Sequence, residues 1–265
     1  MNKKIVYFGA AGSGLAYCQH SKTSPDFFVD NDSNKWGTFI DGIEIKDPSI
    51  LTSVMIDKIV ITSGYVKDIL PQILSMGIER DKIHSPAKSL LGFHIFDNEA
   101  NRIQAANKLH QIMTSLDDKW RIVSVGGTAL GFARDGDFIY WDSDIDLFAP
   151  EQSKSAVFNL LQGLDYNPEY ENNSIKAAIV LDNGVEIPFS VDFFNADSDT
   201  FIDRFEDYCW EWPTTMFTEC ATIEVHGKLL NIPNSINRYL GKVYGESWSV
   251  PNPEFGYSDY AGKIS

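Results

Sequence analysis

Asp144 and Asp146 flank a single apolar residue within residues 126–147, GGTALGFARDGDFIYWDSDIDL. On an extended chain both carboxylates therefore point to one face of a strand. Like charges that close raise each other's pKa unless a cation neutralises them. Oxygen-only ligands completed by water suit Mg²⁺ or Mn²⁺, ions that serve phosphoryl transfer. A third carboxylate from a neighbouring strand would complete such a site, and residues 184–194, GVEIPFSVDFF, supply Asp192 inside an apolar, aromatic run. Buried there without a partner, it would cost on the order of a few kcal/mol. The expected catalytic and metal-holding set is Asp144, Asp146 and Asp192. Ahead of the pair, a Gly126-Gly127-Thr128 turn can cradle phosphate through its amides. Arg134, expected on the loop after Gly131, can grip a donor phosphate in bidentate fashion.

The elements that must position these groups follow from periodicity. RIVSVGGT forms the first strand of a catalytic unit, after a helix whose buried stripe is Leu109, Ile112, Met113 and Leu116. Val157, Leu160, Leu161 and Leu164 mark the next packed helix. AAIVLDNG and VEIPFSVDFF read as a hairpin, because Asp182-Asn183-Gly184 is strong turn chemistry.

The chain before that alternates short strands with helices: KIVYFGA, GSGLAYCQHS, DFFVDND, DKIVITSG, VKDILPQILSMG and KIHSP. Pro71 is placed near the start of its helix, where proline is tolerated. Repeated strand-helix units imply an α/β, Rossmann-like domain with a small parallel sheet over residues 1–95, with a boundary in 92–99. Its first turn carries Gly9, Gly12 and Gly14, which can admit a phosphate, and Asp30 at the next strand end can hold a ribose hydroxyl. A tight strand-to-helix connection needs the same glycines, so architecture alone is the competing reading.

With 265 residues, 43% apolar and 13% aromatic, the chain can bury two cores. A net charge of −15 without a basic run argues against nucleic acid as a partner. Three cysteines, Cys18, Cys209 and Cys220, argue for a reducing compartment. The N-terminus lacks a long apolar stretch, so a cytoplasmic protein without a transmembrane segment is expected. His20, His84, His94, His110 and His226 show no ligand spacing.

The glycine turn, the Asp-x-Asp and the distant strand Asp resemble the nucleotidyltransferase superfamily. More narrowly, residues 126–147 resemble the LicD-type phosphocholine transferases and the related fukutin proteins, with Gly-Thr-x-Leu-Gly, an Arg, Gly-x-Phe-Ile and Trp-Asp before the metal-binding pair. Residues 239–251, YLGKVYGESWSVP, are similar to that family's Tyr-Leu, Tyr-Gly and Trp-x-x-Pro signature. Ser143 stands where the family usually has another Asp, Tyr140 where Pro is frequent and Glu246 where Asp is common; Asp142, Asp144, Asp146 and Asp192 remain.

The resemblance implies an α+β nucleotidyltransferase-fold catalytic domain with a mixed sheet over residues 96–265. It also implies Mg²⁺ or Mn²⁺, a CDP-activated small alcohol such as CDP-choline as donor, and a sugar or glycan acceptor, with CMP released. Such a role in surface glycan synthesis would place the enzyme in the cytoplasm, peripheral to the inner face of the membrane. Residues 27–51 resemble the N-terminal domain of PglD-type sugar acetyltransferases, and that resemblance makes a nucleotide-linked sugar at least as plausible a ligand for residues 1–95 as NAD. The alternatives are a nucleotidyltransferase that consumes an NTP and releases pyrophosphate, and a non-catalytic nucleotide-sugar binding module.

Overall fold

The computed structural model describes residues 4–92, 95–117, 120–205, 207–256 and 259–262. They divide into two compact units, Met1–Phe93 with Asn252–Asp259 and His94–Pro251 with Tyr260–Ser265.

The first unit is built from β1 (Ile5–Phe8), α1 (Gly12–Ser21), β2 (Phe27–Val29), β3 (Phe39–Ile40), β4 (Ile43–Lys46), β5 (Lys58–Ile61), α2 (Val66–Ser75) and β6 (Ile83–His84). The sheet runs β3-β4-β2-β1-β5-β6, parallel throughout except for the β3–β4 edge. β1, β2 and β5 are short apolar runs, and Val6, Phe28 and Ile59 are fully buried. Strands covered by helices on both faces require that pattern. α2 buries Ile69, Leu70 and Ile73. Pro71 lies inside this helix and not near its start, on the exposed side, where the lost backbone donor faces solvent. Near the C-terminus, Pro253 accepts a hydrogen bond from Ser89 within the same unit.

The second unit contains α3 (Glu99–Thr114), β7 (Val123–Ser124), α4 (Gly126–Arg134), β8 (Ile145–Pro150), α5 (Lys154–Gly163), β9 (Glu169–Glu171), β10 (Ser174–Val180) and β11 (Glu186–Phe194). After them come β12 (Thr200–Phe205), β13 (Tyr208–Pro213), α6 (Thr215–Thr218), β14 (Ala221–Val225), β15 (Lys228–Ile232) and α7 (Ile236–Tyr244). The main sheet runs β7-β8-β11-β10-β9 and is mixed: β8 and β11 are parallel, and the other pairs are antiparallel.

Alternation in β8 and β11 sends Ile145, Leu147, Ala149, Phe189, Val191 and Phe193 into one core, with Leu109, Ile112, Val157 and Leu161 from the helices. The opposite face carries Phe148 and Phe194, packed with Phe201 and Phe217 at centroid distances of 4.8–6.4 Å. Among the described residues no helix is long and apolar enough to cross a membrane.

Candidate active site

Gly126 and Gly127 open a helix and not a free turn. α4 starts at Gly126, preceded by an extended Val125 whose side chain provides no cap. Both glycines are required by close approach. Gly126 has φ +54°, and an ideal Cβ on it would fall 2.8 Å from Asp146 Oδ2. On Gly127 a Cβ would run into Asp142 Oδ2. Two carboxylates are thus held against the first turn of α4, where the helix dipole favours negative charge.

Backbone and side-chain bonds fix this arrangement. Val125 N–H donates to the Asp146 carbonyl (2.9 Å), and Asp146 N–H donates to Thr128 Oγ1 (3.0 Å). Thr128 is 3% exposed, so its hydroxyl braces the strand carrying Asp146. Asp142 is buried and turns Oδ1 onto the Ser143 N–H (3.0 Å). Asp144 is half-buried immediately ahead of β8.

Residues far along the chain close the same place. Tyr239, from α7, accepts the Gly126 N–H at 2.9 Å through its hydroxyl. Burial pushes its pKa well up, and Asp203, Asp146 and Tyr260 push the same way while the Gly126 amide opposes them. Tyr244 is likewise raised, by burial first and then by Tyr260, Tyr239, Asp146 and Asp142. Both phenols stay neutral at physiological pH and can donate to nearby carboxylates. Asp203 also faces the Trp212 indole N–H at 3.5 Å, and the Trp212 ring lies 5.0 Å from Tyr239.

Asp192 lies on β11, parallel to β8, with Asp146 opposite Ser190 and Phe148 opposite Asp192. By register Asp192 and Asp146 share a face but are offset by two positions, roughly 7 Å along the strands. Ser174 on β10 donates its hydroxyl to Asp192 Oδ1. Among the described residues no group of three or more His, Cys, Asp or Glu side chains is placed to hold a metal ion. The hard oxygens of Asp142 and Asp146 fit a divalent ion held by two carboxylates, with water and phosphate filling the other positions, as Mg²⁺ prefers.

Arg134 ends α4 instead of standing on a loop, because the helix continues past Gly131. Its side chain is 6% exposed, and its guanidinium grips Asp135 through Nε (2.8 Å) and Nη2 (2.6 Å), with Trp141 5.6 Å from its carbon centre. The fork expected to hold a donor phosphate is engaged with this carboxylate. Asp137, on the connection to β8, is held by Arg102 Nε and His226 Nε2, both at 2.8 Å. His110 Nδ1 meets the Leu229 carbonyl at 2.9 Å; His94 falls outside the described residues.

In the first unit, Gly9 has φ +115°, and a Cβ there would meet the Thr62 carbonyl at 2.9 Å. A Cβ on Gly14 would strike the Phe28 ring at 2.7 Å and the Gly9 carbonyl at 2.8 Å, whereas one on Gly12 would meet nothing within 4 Å. Gly9 and Gly14 are thus explained by packing; Gly12 opens outward. Asp30 accepts from Ala10 N–H (2.8 Å), Asp32 N–H (2.9 Å) and Lys35 Nζ (3.0 Å), so its carboxylate braces the glycine turn.

Comparison with known proteins divides the chain in the same order. Residues 1–84 match the C2185-like N-terminal family model, and residues 119–235 match the LicD/FKTN/FKRP nucleotidyltransferase domain. No curated protein matches the chain. Among solved structures, it is similar to UDP-D-quinovosamine 4-dehydrogenase from Vibrio fischeri, 22% identical over 32% of this chain and 78% of that one. The TM-score is 0.27, too low for that enzyme's activity to transfer. The LicD match points to a phosphotransferase-type role in glycan modification, with a nucleotide-activated donor and a glycan acceptor in general terms. The acid pair and the helix that receives it lie within the segment that matches the LicD/FKTN/FKRP nucleotidyltransferase domain, which follows the segment that matches the C2185-like N-terminal model.

Proposed function

We propose that this chain transfers a phospho-alcohol, phosphocholine or a close analogue, from a CDP-activated donor to a sugar hydroxyl of a surface glycan or its precursor. The observation that carries this reading is the closure of the Gly126-Gly127 helix start on Asp142 and Asp146 within the LicD-matched segment. The acceptor oxygen attacks the phosphorus bearing the alcohol; a new P–O bond forms, the bond to CMP breaks, and the acceptor's proton passes to a base. Asp192 is the proposed base.

Asp142 and Asp146 would hold Mg²⁺ or Mn²⁺, with Asp144 just ahead of β8 and Asp192 on β11 proposed to complete the site. That ion would supply charge neutralisation at the pyrophosphate. The amides of α4's first turn orient the donor phosphates, and neutral Tyr239 and Tyr244 keep the acid pair in place without adding negative charge. A nucleotide-activated donor sets the reaction in the cytoplasm, at the inner membrane face if the acceptor is lipid-linked. Residues 1–95 are the proposed nucleotide or nucleotide-sugar binding domain, and residues 96–265 the catalytic one.

Calorimetry with CDP-choline, CDP-ribitol, CDP-glycerol, CTP and UTP in Mg²⁺ ranks the donors. Binding of at least one CDP-alcohol more tightly than CTP is expected. Turnover of CTP to pyrophosphate with no CDP-alcohol bound would assign the domain to NTP chemistry instead.

A further inference from the structure

The first unit carries a shallow, open depression of about 370 Å³ that the glycine turn does not line. Its walls come from Asn31 just past β2, Trp36, residues 47–49 just past β4, and Gln72 with Met76 from α2 and its end. β2 and β4 are parallel, so the depression opens at their C-terminal edge, where open α/β sheets bind ligands.

The lining is preorganised. The Trp36 indole N–H donates to the Asp30 carbonyl at 2.7 Å, which fixes the ring beside the depression. The amides of Asn31 and Gln72 pair reciprocally, both bonds 2.9 Å, which leaves each with a further N–H and carbonyl lone pair for a ligand edge. Asp47 spends Oδ1 on the Ser49 N–H (2.8 Å). A fixed indole, a proline and a thioether beside paired amides suit a flat heterocycle with alternating donors and acceptors. Asp30 joins the two places, since its carboxylate holds Ala10 in the glycine turn and its carbonyl holds Trp36.

We propose that this depression seats the nucleoside of a nucleotide or nucleotide-sugar, with the base between Trp36 and the Asn31–Gln72 amides and the phosphates reaching toward Gly12. Recognition then rests on Trp36, Asn31 and Gln72, while Asp30 braces the site. This deepens, and rests on, the reading of the first unit as a nucleotide-binding domain.

Trp36 is the one tryptophan before residue 120, so its resonance reports on this unit separately from the acid pair. The test is fluorine NMR of the full chain labelled with fluorotryptophan, with the Trp36 signal assigned by its loss in Trp36→Phe. It is titrated with uridine, cytidine and adenosine and with the corresponding diphosphates. At least one nucleoside should shift the Trp36 signal; Gln72→Ala should weaken that binding about tenfold, with thermal unfolding unchanged. Gly12→Val should weaken the diphosphate while sparing the nucleoside. If a diphosphate binds, sensitive to Gly12→Val, but no nucleoside does and Gln72→Ala has no effect, the depression is not the nucleoside seat and the nucleotide-binding domain stands. If neither nucleosides nor diphosphates move the Trp36 signal, both readings fall.

Discussion

Tyr239 shows how the acid pair depends on a residue 113 positions away in sequence, since its hydroxyl takes the Gly126 N–H at the start of α4. Tyr239→Phe leaves that part-buried amide without its acceptor, which costs about 1 kcal/mol. A lower midpoint in chemical denaturation, together with weaker donor binding, is the expected outcome; unchanged values for both would remove Tyr239 from the site. The same phenol sets an alkaline limit. Its folded pKa is raised above the ordinary 10.0, so its contribution to stability is complete below pH 10 and declines as pH rises above that value. Unfolding measured from pH 8 to pH 11 should show a decline beginning near pH 10 that is shallower in Tyr239→Phe. Asp146 was legible from the Asp-x-Asp spacing alone. Asp142 stood in the same DSDID run, but only the fold reveals that it meets Gly127. Tyr239 opens the 239–251 signature, but that signature does not say what the residue touches, because a contact between α7 and α4 leaves no spacing to read.

At the scale of elements, period-two runs and turn chemistry carried well: the 182–184 turn joins β10 to β11, and β11 does neighbour the strand of the acid pair. Helix limits carried less well. Gly-Gly reads as a turn by propensity, yet tertiary approach of two carboxylates makes it the first turn of α4, and Arg134 consequently lands at the helix end on Asp135. Pro71 was misplaced for a related reason, since the exposed face of α2 tolerates a missing donor that a buried face would not. The first-unit glycines separate by packing. Gly14→Ala must push against Phe28 and the Gly9 carbonyl and should cost about 1–3 kcal/mol. Gly12→Ala meets nothing and should be neutral or stabilising by up to about 1 kcal/mol through helix propensity. Urea denaturation of the two variants decides this; equal effects would contradict the close packing of α1 on β2.

For the whole molecule, two cores in one chain of 265 residues accord with two family matches in succession. The alternation of strands and helices made the first unit legible, but nothing in its pattern showed that Asn252–Asp259 groups with it. A chain ending at Pro251 should lose stability in the first unit, read as an earlier melting of the Trp36 fluorine signal; an unchanged melt would show that this segment is dispensable. The transferase reading is tested most directly by following a CDP-alcohol that binds, together with a glycan acceptor, by phosphorus NMR in Mg²⁺, in EDTA, and with Asp146→Ala. The predicted result is CMP with a new phosphodiester in Mg²⁺, none in EDTA, and a rate at least about a thousandfold lower in Asp146→Ala with its fold intact. Full turnover in EDTA, or an Asp146→Ala enzyme as fast as the parent, would contradict it.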